Sequence, residues 1–162
     1  MAEDMDFFRG RRVLVTGHTG FKGAWMCLLL ARAGARVLGY SLDPPSSPSL
    51  FALARLDSAP PEGLTSLYAD ILDLPKLSRA VAEFEPEAVI HMAAQSLVRP
   101  SYADPAGTFA ANVQGTVNVL EALRELSKPC TAVFVTTDKC YENKEWVYGY
   151  REEDSLGGHD PY

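Results

Sequence analysis

The sequence predicts an α/β fold, a Rossmann-like doubly wound parallel sheet with the strand order 3-2-1-4-5. Two observations predict it: short β-branched runs alternate with helix-length stretches, and a glycine-rich turn joins the first strand to the first helix. Such alternation is typical of βαβ units with right-handed crossovers. Ligands in these sheets bind beyond the carboxyl ends of the strands, so the residues that follow each strand are the candidate site.

Five strands and four helices are expected along the chain. The predicted strands are residues 12–16, 36–40, 67–69, 88–92 and 131–136. The predicted helices are a first helix that ends at Ala33 and is closed by Gly34, a short one near 50–54, one over 74–84 and a long one over 106–126. Pro86 and Pro129 end the last two before a strand begins.

The long helix shows apolar side chains at spacings of three and four. These are Phe109, Val113, Val117, Leu120 and Leu123. Such a face either covers the sheet or joins a second copy of the chain in a homodimer. Asn112 and Asn118 lie in the same helix, where asparagine is disfavoured, and Asn112 is expected to cap or kink it.

Composition excludes several classes of function. Fifteen basic and 21 acidic residues give a formal net charge of −6, and without a Lys/Arg cluster the chain is not expected to bind nucleic acid. Three widely spaced cysteines outside any Cys/His pattern indicate a reducing cytoplasm and no metal site. The acidic amino terminus and short apolar runs predict neither a secretory signal nor a membrane span.

Gly17, Gly20 and Gly23 form the first candidate site, in the sequence GHTGFKG between the first strand and the first helix. Their GxxGxxG spacing differs by one residue from the GxGxxG of dinucleotide-binding turns. Glycine would serve the same ends here: a tight turn, close approach of a pyrophosphate, and close packing of helix on strand. The alternative is that these glycines only shape a turn.

Further candidates follow the second, third and fourth strands. Ser41 occupies the place where an acid usually holds the cofactor ribose, and a serine suits a 2′-hydroxyl or a 2′-phosphate, so NAD and NADP both remain open. Asp70 fits an acceptor for the adenine amino group, or a turn aspartate that caps the next helix. Ala93, Ala94 and Gln95 leave room for a cofactor, or serve packing.

Thr137, Asp138 and Lys139 follow the fifth strand. They place a hydroxyl, a carboxyl and an amine side by side at the carboxyl end of a strand, a set of groups suited to proton transfer. The alternative is an ordinary polar loop.

Five stretches of the chain together resemble the extended short-chain dehydrogenase/reductase family: GHTGFKG, HMAAQ, NVQGT, TTDKCYENKEW and HDPY. Within it, the chain is most similar to the CDP-glucose 4,6-dehydratases of dideoxy-sugar and lipopolysaccharide synthesis. The related dTDP-glucose dehydratases look like STDEVYG after the fifth strand, with Glu where this chain has Lys139. The resemblance covers residues 12–162 and implies a lyase that uses NAD, with CDP-glucose as its substrate.

The resemblance also implies a role for each matched residue. The residues around the pyrophosphate would be Gly17, Thr19, Gly20, Phe21, Lys22 and Gly23. Asp70 and Ile71 would face the adenine, while Ala93, Ala94 and Gln95 would lie on the nicotinamide side.

Four residues would then carry the chemistry. Thr137 and Tyr162 resemble the family's Ser/Thr and Tyr, which bind and deprotonate the sugar 4-hydroxyl. Asp138 and Lys139 resemble the acid and base pair that eliminates water across C5 and C6. The cofactor would be regenerated in each cycle.

One departure from the family concerns Tyr162. Family members carry Tyr-x-x-x-Lys and are longer, whereas Tyr162 is the last residue here. The expectation is that residues 1–162 are an incomplete NAD(P)-binding domain, truncated before the substrate domain and inactive alone. The alternatives are a non-catalytic dinucleotide-binding module and a sugar-nucleotide epimerase or reductase. The Asp138 and Lys139 pair disfavours an epimerase or a reductase.

Overall fold

A computed structural model describes residues 6–162 of the chain, and five parallel strands form one sheet in it. The order β3-β2-β1-β4-β5 confirms the predicted fold class. The strands are β1 (Arg12–Thr16), β2 (Arg36–Ser41), β3 (Leu64–Tyr68), β4 (Ala88–His91) and β5 (Thr131–Phe134). Strand β3 begins three residues before its predicted range of 67–69. Pairing with β2 starts earlier because the carbonyl of Gly63, at φ +86°, accepts from Val37 N at 2.7 Å.

Within residues 6–162, six α-helices connect the strands. They are α1 (Phe21–Arg32), α2 (Leu50–Leu53), α3 (Leu74–Phe84), α4 (Val98–Ala103), α5 (Pro105–Phe109) and α6 (Gly115–Arg124). A π-helical turn at Ala110–Gln114 joins α5 to α6, so the predicted long helix exists as one helical run with a wide turn inside it. Sequence analysis did not predict α4.

The sheet is covered on both faces, as a parallel sheet requires. Leu14 points to the face under α3 and α6, while its neighbours Val13 and Val15 point to the face under α1 and α2. All three are fully buried, and burying each such side chain stabilises the fold by roughly 1.5–3 kcal/mol. This core fixes the carboxyl ends of the strands along one line, called the carboxyl edge below.

The long helix turns a different face to the sheet than its apolar spacing predicted. The side chains of Phe109, Val113, Val117 and Leu120 are between 42% and 56% exposed. The buried positions of α6 are instead Gly115, Asn118, Val119 and Ala122. The interpretation that the apolar face covers the sheet is therefore wrong for these four residues, and only Leu123 packs partly against the core.

Within residues 6–162, no helix combines the length and the apolar character needed to cross a membrane.

Candidate dinucleotide and active site

The glycine turn holds β1, α1 and the residues after β4 in contact. Gly17 has φ +72°, and its N–H donates to the Tyr40 carbonyl at 2.9 Å. A Cβ at Gly17 would lie 2.8 Å from Ala93 N, and a Cβ at Gly23 would overlap the Gly17 carbonyl oxygen. Residues with a side chain do not fit at these two positions without movement of the backbone.

The amino terminus of α1 opens at this turn. Gly20 is the N-cap and supplies no side-chain hydrogen bond, so the first N–H groups of the helix lack the partner that a side-chain cap would give. Phe21 and Lys22 in this first turn are exposed. Unpaired N–H groups and the positive end of the helix dipole suit an anion such as a pyrophosphate, so these residues fit a dinucleotide.

Thr19 turns its side chain toward the end of β2. Its hydroxyl donates to the Leu42 carbonyl at 2.9 Å and lies 2.8 Å from Ser41 Oγ. Thr19 is 3% exposed. Because the hydroxyl is already bonded to Leu42 and Ser41, only the backbone of Thr19 is left for the predicted contact with the pyrophosphate.

Asp70 and Ile71 follow β3 at the carboxyl edge. The exposed Asp70 carboxylate accepts a hydrogen bond from Leu72 N at 2.9 Å, which makes Asp70 a turn residue. The alternative that Asp70 caps the next helix is wrong, because Asp73 caps α3 by accepting from Lys76 N. The buried Ile71 offers its carbonyl to the Asn118 side chain at 3.0 Å.

The loop after β4 is held by Asn112. Gln95 N donates to Asn112 Oδ1 at 2.8 Å, and Asn112 Nδ2 donates to the Gln95 carbonyl at 3.0 Å. Asn112 lies in the π-helical turn, and its side chain bonds Gln95 rather than capping an end of the helix. Its amide joins this turn to Gln95, 17 residues earlier, beside Ala93 and Ala94.

His91 belongs to a buried network that sequence analysis missed. Thr16 Oγ1 accepts from the N–H groups of Met92 and Ala93 at 3.0 and 3.1 Å, so its own hydrogen points to His91 Nδ1 at 2.7 Å. The Nε2–H of His91 then faces Thr116 Oγ1 at 3.2 Å. Burial lowers the pKa of His91 to about 4, which keeps this ring neutral. The available signal was a histidine at the end of a buried strand.

His18 is a second buried histidine that sequence analysis did not use. It is 0% exposed, lies against Gly39, and meets the Phe51 ring edge-on at 5.2 Å. Among residues 6–162, no group lies in good hydrogen-bond geometry to either ring nitrogen, and burial lowers the pKa of His18 to about 4 against a weaker opposing effect of the Tyr40 backbone. The neutral ring therefore packs as an apolar group beneath the glycine turn.

The predicted catalytic residues start just beyond β5. Thr137 caps a 3₁₀ turn at Asp138–Cys140: its hydroxyl accepts from Lys139 N at 3.2 Å and donates to Asp138 Oδ1 at 3.3 Å. The Asp138 and Lys139 side chains are exposed. Both groups are therefore accessible to a ligand at the carboxyl edge.

The chain then forms a loop that returns to Lys139. Tyr141 and Leu156 make an antiparallel bridge, and Gly157 N donates to the Cys140 carbonyl at 2.9 Å. A Cβ at Gly158 would lie 3.4 Å from the Lys139 carbonyl oxygen. The half-buried Tyr162 follows four residues after Gly158, and its N–H donates to Asp160 Oδ1 at 3.0 Å.

Residues 6–162 contain no group of His, Cys, Asp and Glu side chains that could hold a metal ion. An apolar cavity of about 440 Å³, lined in part by Trp25, Leu29 and Pro61, lies on the outer side of α1. It reaches the carboxyl-terminal half of that helix and so lies away from the glycine turn.

A protein-family model described as GDP-mannose 4,6 dehydratase matches residues 14–162. The chain belongs to that family. Its relatives include the CDP-glucose 4,6-dehydratase of Salmonella typhimurium. The two sequences are 51% identical over 159 residues, which are 98% of this chain and 43% of the relative. The resemblance stated above is thereby confirmed.

Solved structures with the same fold include epimerases. An epimerase from Methanothermobacter thermautotrophicus superposes with a TM-score of 0.82 at 26% identity, over 99% of this chain and 46% of that one. The UDP-glucose 4-epimerase from Brucella ovis in complex with NAD gives 0.77 at 27% identity, over 94% and 43%. This chain spans less than half the length of each of these relatives.

Proposed function

We propose that this chain is the dinucleotide-binding part of a nucleotide-sugar 4,6-dehydratase that acts on CDP-glucose. The 51% identity to a CDP-glucose 4,6-dehydratase over 98% of the chain carries this proposal. The exposed Asp138 and Lys139 at the carboxyl edge support it, because a dehydratase needs an acid and a base for elimination and an epimerase or reductase does not. An epimerase or reductase is therefore less favoured.

The glycine turn and the loops after β2, β3 and β4 would hold the nicotinamide dinucleotide. The start of α1 would bind the pyrophosphate, Ser41 the ribose, Asp70 and Ile71 the adenine, and residues 93–95 the nicotinamide. The NAD-bound structure of the Brucella ovis relative supports this choice of cofactor. When bound, the nicotinamide would accept a hydride from C4 of the sugar and return it to C6.

Four side chains would act on the sugar. Tyr162 would take the proton of the C4 hydroxyl, and Thr137 would hold that hydroxyl by a hydrogen bond. Asp138 and Lys139 would act as the acid and base pair: they would remove the C5 proton and protonate the C6 hydroxyl, which leaves as water. A proton would return to C5 as the hydride returns to C6. The product would be CDP-4-keto-6-deoxyglucose, a precursor for deoxy sugars of lipopolysaccharide.

A homodimer would use the exposed apolar face of the long helix. Phe109, Val113, Val117 and Leu120 form a stripe there, and exposed apolar stripes of this kind mark protein interfaces. Val113→Asp should shift a dimer to monomer in analytical ultracentrifugation, and an unchanged dimer would mean that another surface forms the contact.

We place the protein in the cytoplasm, where its three free cysteines would stay reduced.

A chimera tests the catalytic proposal directly. Residues 12–162 of this chain would replace the matching part of the Salmonella typhimurium relative, which supplies the rest of a dehydratase. We expect the chimera to form 4-keto-6-deoxy sugar from CDP-glucose. The 162-residue chain alone should not, because the contacts to remote parts of a nucleotide sugar orient the reacting centre. Equal rates in both would place the whole catalytic apparatus within these residues.

Lys139→Ala in the chimera separates elimination from oxidation. Hydride transfer from C4 should persist and give a transient reduced-nicotinamide absorbance, while product formation falls by about 10²-fold or more. Lys144→Ala, in the same loop and paired with Glu142, is the matched control and should leave the rate unchanged. Product formation at the unsubstituted rate by Lys139→Ala would remove Lys139 from the mechanism.

A further inference from the structure

We propose that Tyr102 is a positioning residue for Tyr162. This role rests on the proposed function, since it concerns the residue that would take the proton of the sugar 4-hydroxyl. Tyr102 lies on α4, and its hydroxyl donates to the His159 carbonyl at 3.0 Å. The bond joins two residues that are 57 positions apart in the sequence. Through it, α4 would set where the end of the segment 137–162 lies.

The start of α4 is fixed to the loop after β4. Leu97, the N-cap residue of this helix, donates its N–H to Gln95 Oε1 at 2.8 Å, and its carbonyl accepts from Gln95 Nε2 at 3.0 Å. Gln95 is held in turn by the two hydrogen bonds of the Asn112 amide. Ser101, near the end of α4, is fully buried. Hydrogen bonds and burial therefore hold α4 against the loop proposed to contact the nicotinamide.

The link between the anchored carbonyl and Tyr162 has little freedom to rotate. Only Asp160 and Pro161 separate His159 from Tyr162. The proline ring fixes its own φ at about −65° and disfavours helical backbone at the residue before it. Asp160 Oδ1 also accepts from Tyr162 N at 3.0 Å, which closes a turn between the two residues. A shift of the His159 carbonyl is therefore passed on to Tyr162.

The other hydrogen bonds near this end are internal to the segment. Within residues 6–162, the remaining hydrogen bonds of residues 155–162 have both partners inside 137–162, as with Gly157 N and the Cys140 carbonyl. These bonds give the segment its own shape, but they do not fix its position relative to α4. The Tyr102 hydroxyl does so, because it belongs to a different element.

The position of Tyr162 matters for one step of the proposed reaction. As Tyr162 takes the hydroxyl proton, a hydride leaves C4 for the nicotinamide and C4 becomes a carbonyl. A general base must lie within hydrogen-bond reach of the proton that it removes, and a misplacement of about 1 Å can cost about 10²-fold in rate. Loss of the Tyr102 contact should therefore slow the oxidation at C4.

Hydrogen exchange tests the contact in the 162-residue chain itself. The Tyr102 side chain is 61% exposed, so Tyr102→Phe removes its hydroxyl without disturbing the core. We expect the amides of residues 157–162 to exchange about threefold faster in this variant, because local opening of that end becomes easier. Tyr148→Phe, at a 75% exposed tyrosine of the same segment, is the matched control and should leave the exchange unchanged.

Kinetics in the chimera show whether the contact acts on the reaction. Lys139→Ala blocks elimination, so in that background the rise of reduced-nicotinamide absorbance reports the oxidation at C4. Adding Tyr102→Phe should slow this rise about tenfold, since the base is misplaced while the ligands still bind. The KM for CDP-glucose and the dissociation constant of NAD should stay within about twofold of their values before this change. Adding Tyr148→Phe should change none of these quantities.

A double-mutant cycle shows whether Tyr102 acts through Tyr162. Tyr162→Phe removes the proposed base and should slow the oxidation by about 10²-fold or more, which leaves a residual rate that absorbance can follow over hours. Adding Tyr102→Phe to this variant should lower the residual rate by less than about twofold, because no base is left to position. A residue that only stabilised the fold would slow the oxidation equally in both backgrounds.

The outcomes separate this role from the proposed function. A loss of oxidation rate that disappears in the Tyr162→Phe background would support it. An unchanged oxidation rate, unchanged exchange at residues 157–162, an equal loss in both backgrounds, or an effect confined to KM would overturn it while the dehydratase function stands. A chimera that forms no product from CDP-glucose would overturn the proposed function, and the role of Tyr102 with it.

Discussion

Two parts of the carboxyl edge are built differently. From β1 to β4, the loops that would hold the dinucleotide are tied to distant elements by buried hydrogen bonds, such as Asn118 to the Ile71 carbonyl and Thr16 to His91. After β5, the segment 137–162 relies mainly on short-range bonds, such as Thr137 to Asp138 and Tyr162 N to Asp160 at 3.0 Å. Longer-range exceptions are Gly157 N to the Cys140 carbonyl and Glu142 N to the Ser155 carbonyl within the segment, and Tyr102, whose hydroxyl donates to the His159 carbonyl.

The difference indicates which part of the site is preformed. Buried hydrogen bonds between distant elements cost more to break than exposed local ones, because the groups left behind lose contact with water. The dinucleotide loops therefore keep their geometry as long as the fold is intact. The exposed segment after β5 carries the groups proposed for chemistry, and few buried contacts hold them.

Glycine substitutions should show the largest contrast between the two parts. Gly17→Ala forces a side chain into φ +72° and within 2.8 Å of Ala93 N, so the free energy of unfolding should fall by about 3 kcal/mol or more. Gly149→Ala, with nothing within 4 Å of the new Cβ, should change it by about 0.5 kcal/mol or less. Urea denaturation measures both, and equal losses would abolish the contrast.

Asparagine substitutions should give a smaller difference of the same sign. Asn118→Ala leaves the Ile71 carbonyl unpaired in the core and should cost about 2–3 kcal/mol. Asn143→Ala removes exposed bonds to Glu145 N and the Tyr150 hydroxyl, and water replaces them, so we expect a loss of about 0.5 kcal/mol. If thermal melts showed a larger loss of stability for Asn143→Ala, the hydrogen bonds of the segment after β5 would contribute more to stability than those of the loops from β1 to β4.

The pH dependence of stability should sharpen the comparison, since two buried histidines lie in the first part. Their folded pKa values of about 4 lie below the unfolded value of about 6.5. Between these limits the unfolded chain binds more protons, so stability is full above pH 6.5 and falls on acidification. His18→Leu should reduce the slope by about 1.2 kcal/mol per pH unit between pH 6 and 5. Denaturation at both pH values measures it, and an unchanged slope would show that His18 titrates normally.

Sequence reasoning was most successful where the determinants are local. Strand periodicity and the turn of Gly17 and Gly20 depend on neighbouring residues, and the strand order follows from right-handed crossovers. Periodicity also located the apolar stripe of Val113 and Val117. It could not assign the side of the helix that meets the sheet, because small and polar residues such as Gly115 pack there instead.

The partners of polar side chains could not be read from the sequence. Asn112 is unusual for a helix interior, but its bond to Gln95 exists only once the helix packs beside the loop after β4. The same holds for Thr19 and Ser41, 22 residues apart, whose hydroxyls meet only after β2 aligns with β1. Hydrogen-bond direction is a property of the folded network, and the sequence shows only which groups can donate or accept.

The π-helical turn at Ala110–Gln114 sets the rotational phase between two asparagines. Asn112 holds the loop after β4 and Asn118 holds the loop after β3, and both belong to the same helical run. A π turn is equivalent to one extra residue in an α-helix, and each residue rotates the helix by about 100°. Deleting one residue from this turn would rotate Asn112 away from Gln95 whenever Asn118 stayed in place. The wide turn thus lets one helix hold two loops that lie in different directions from its axis.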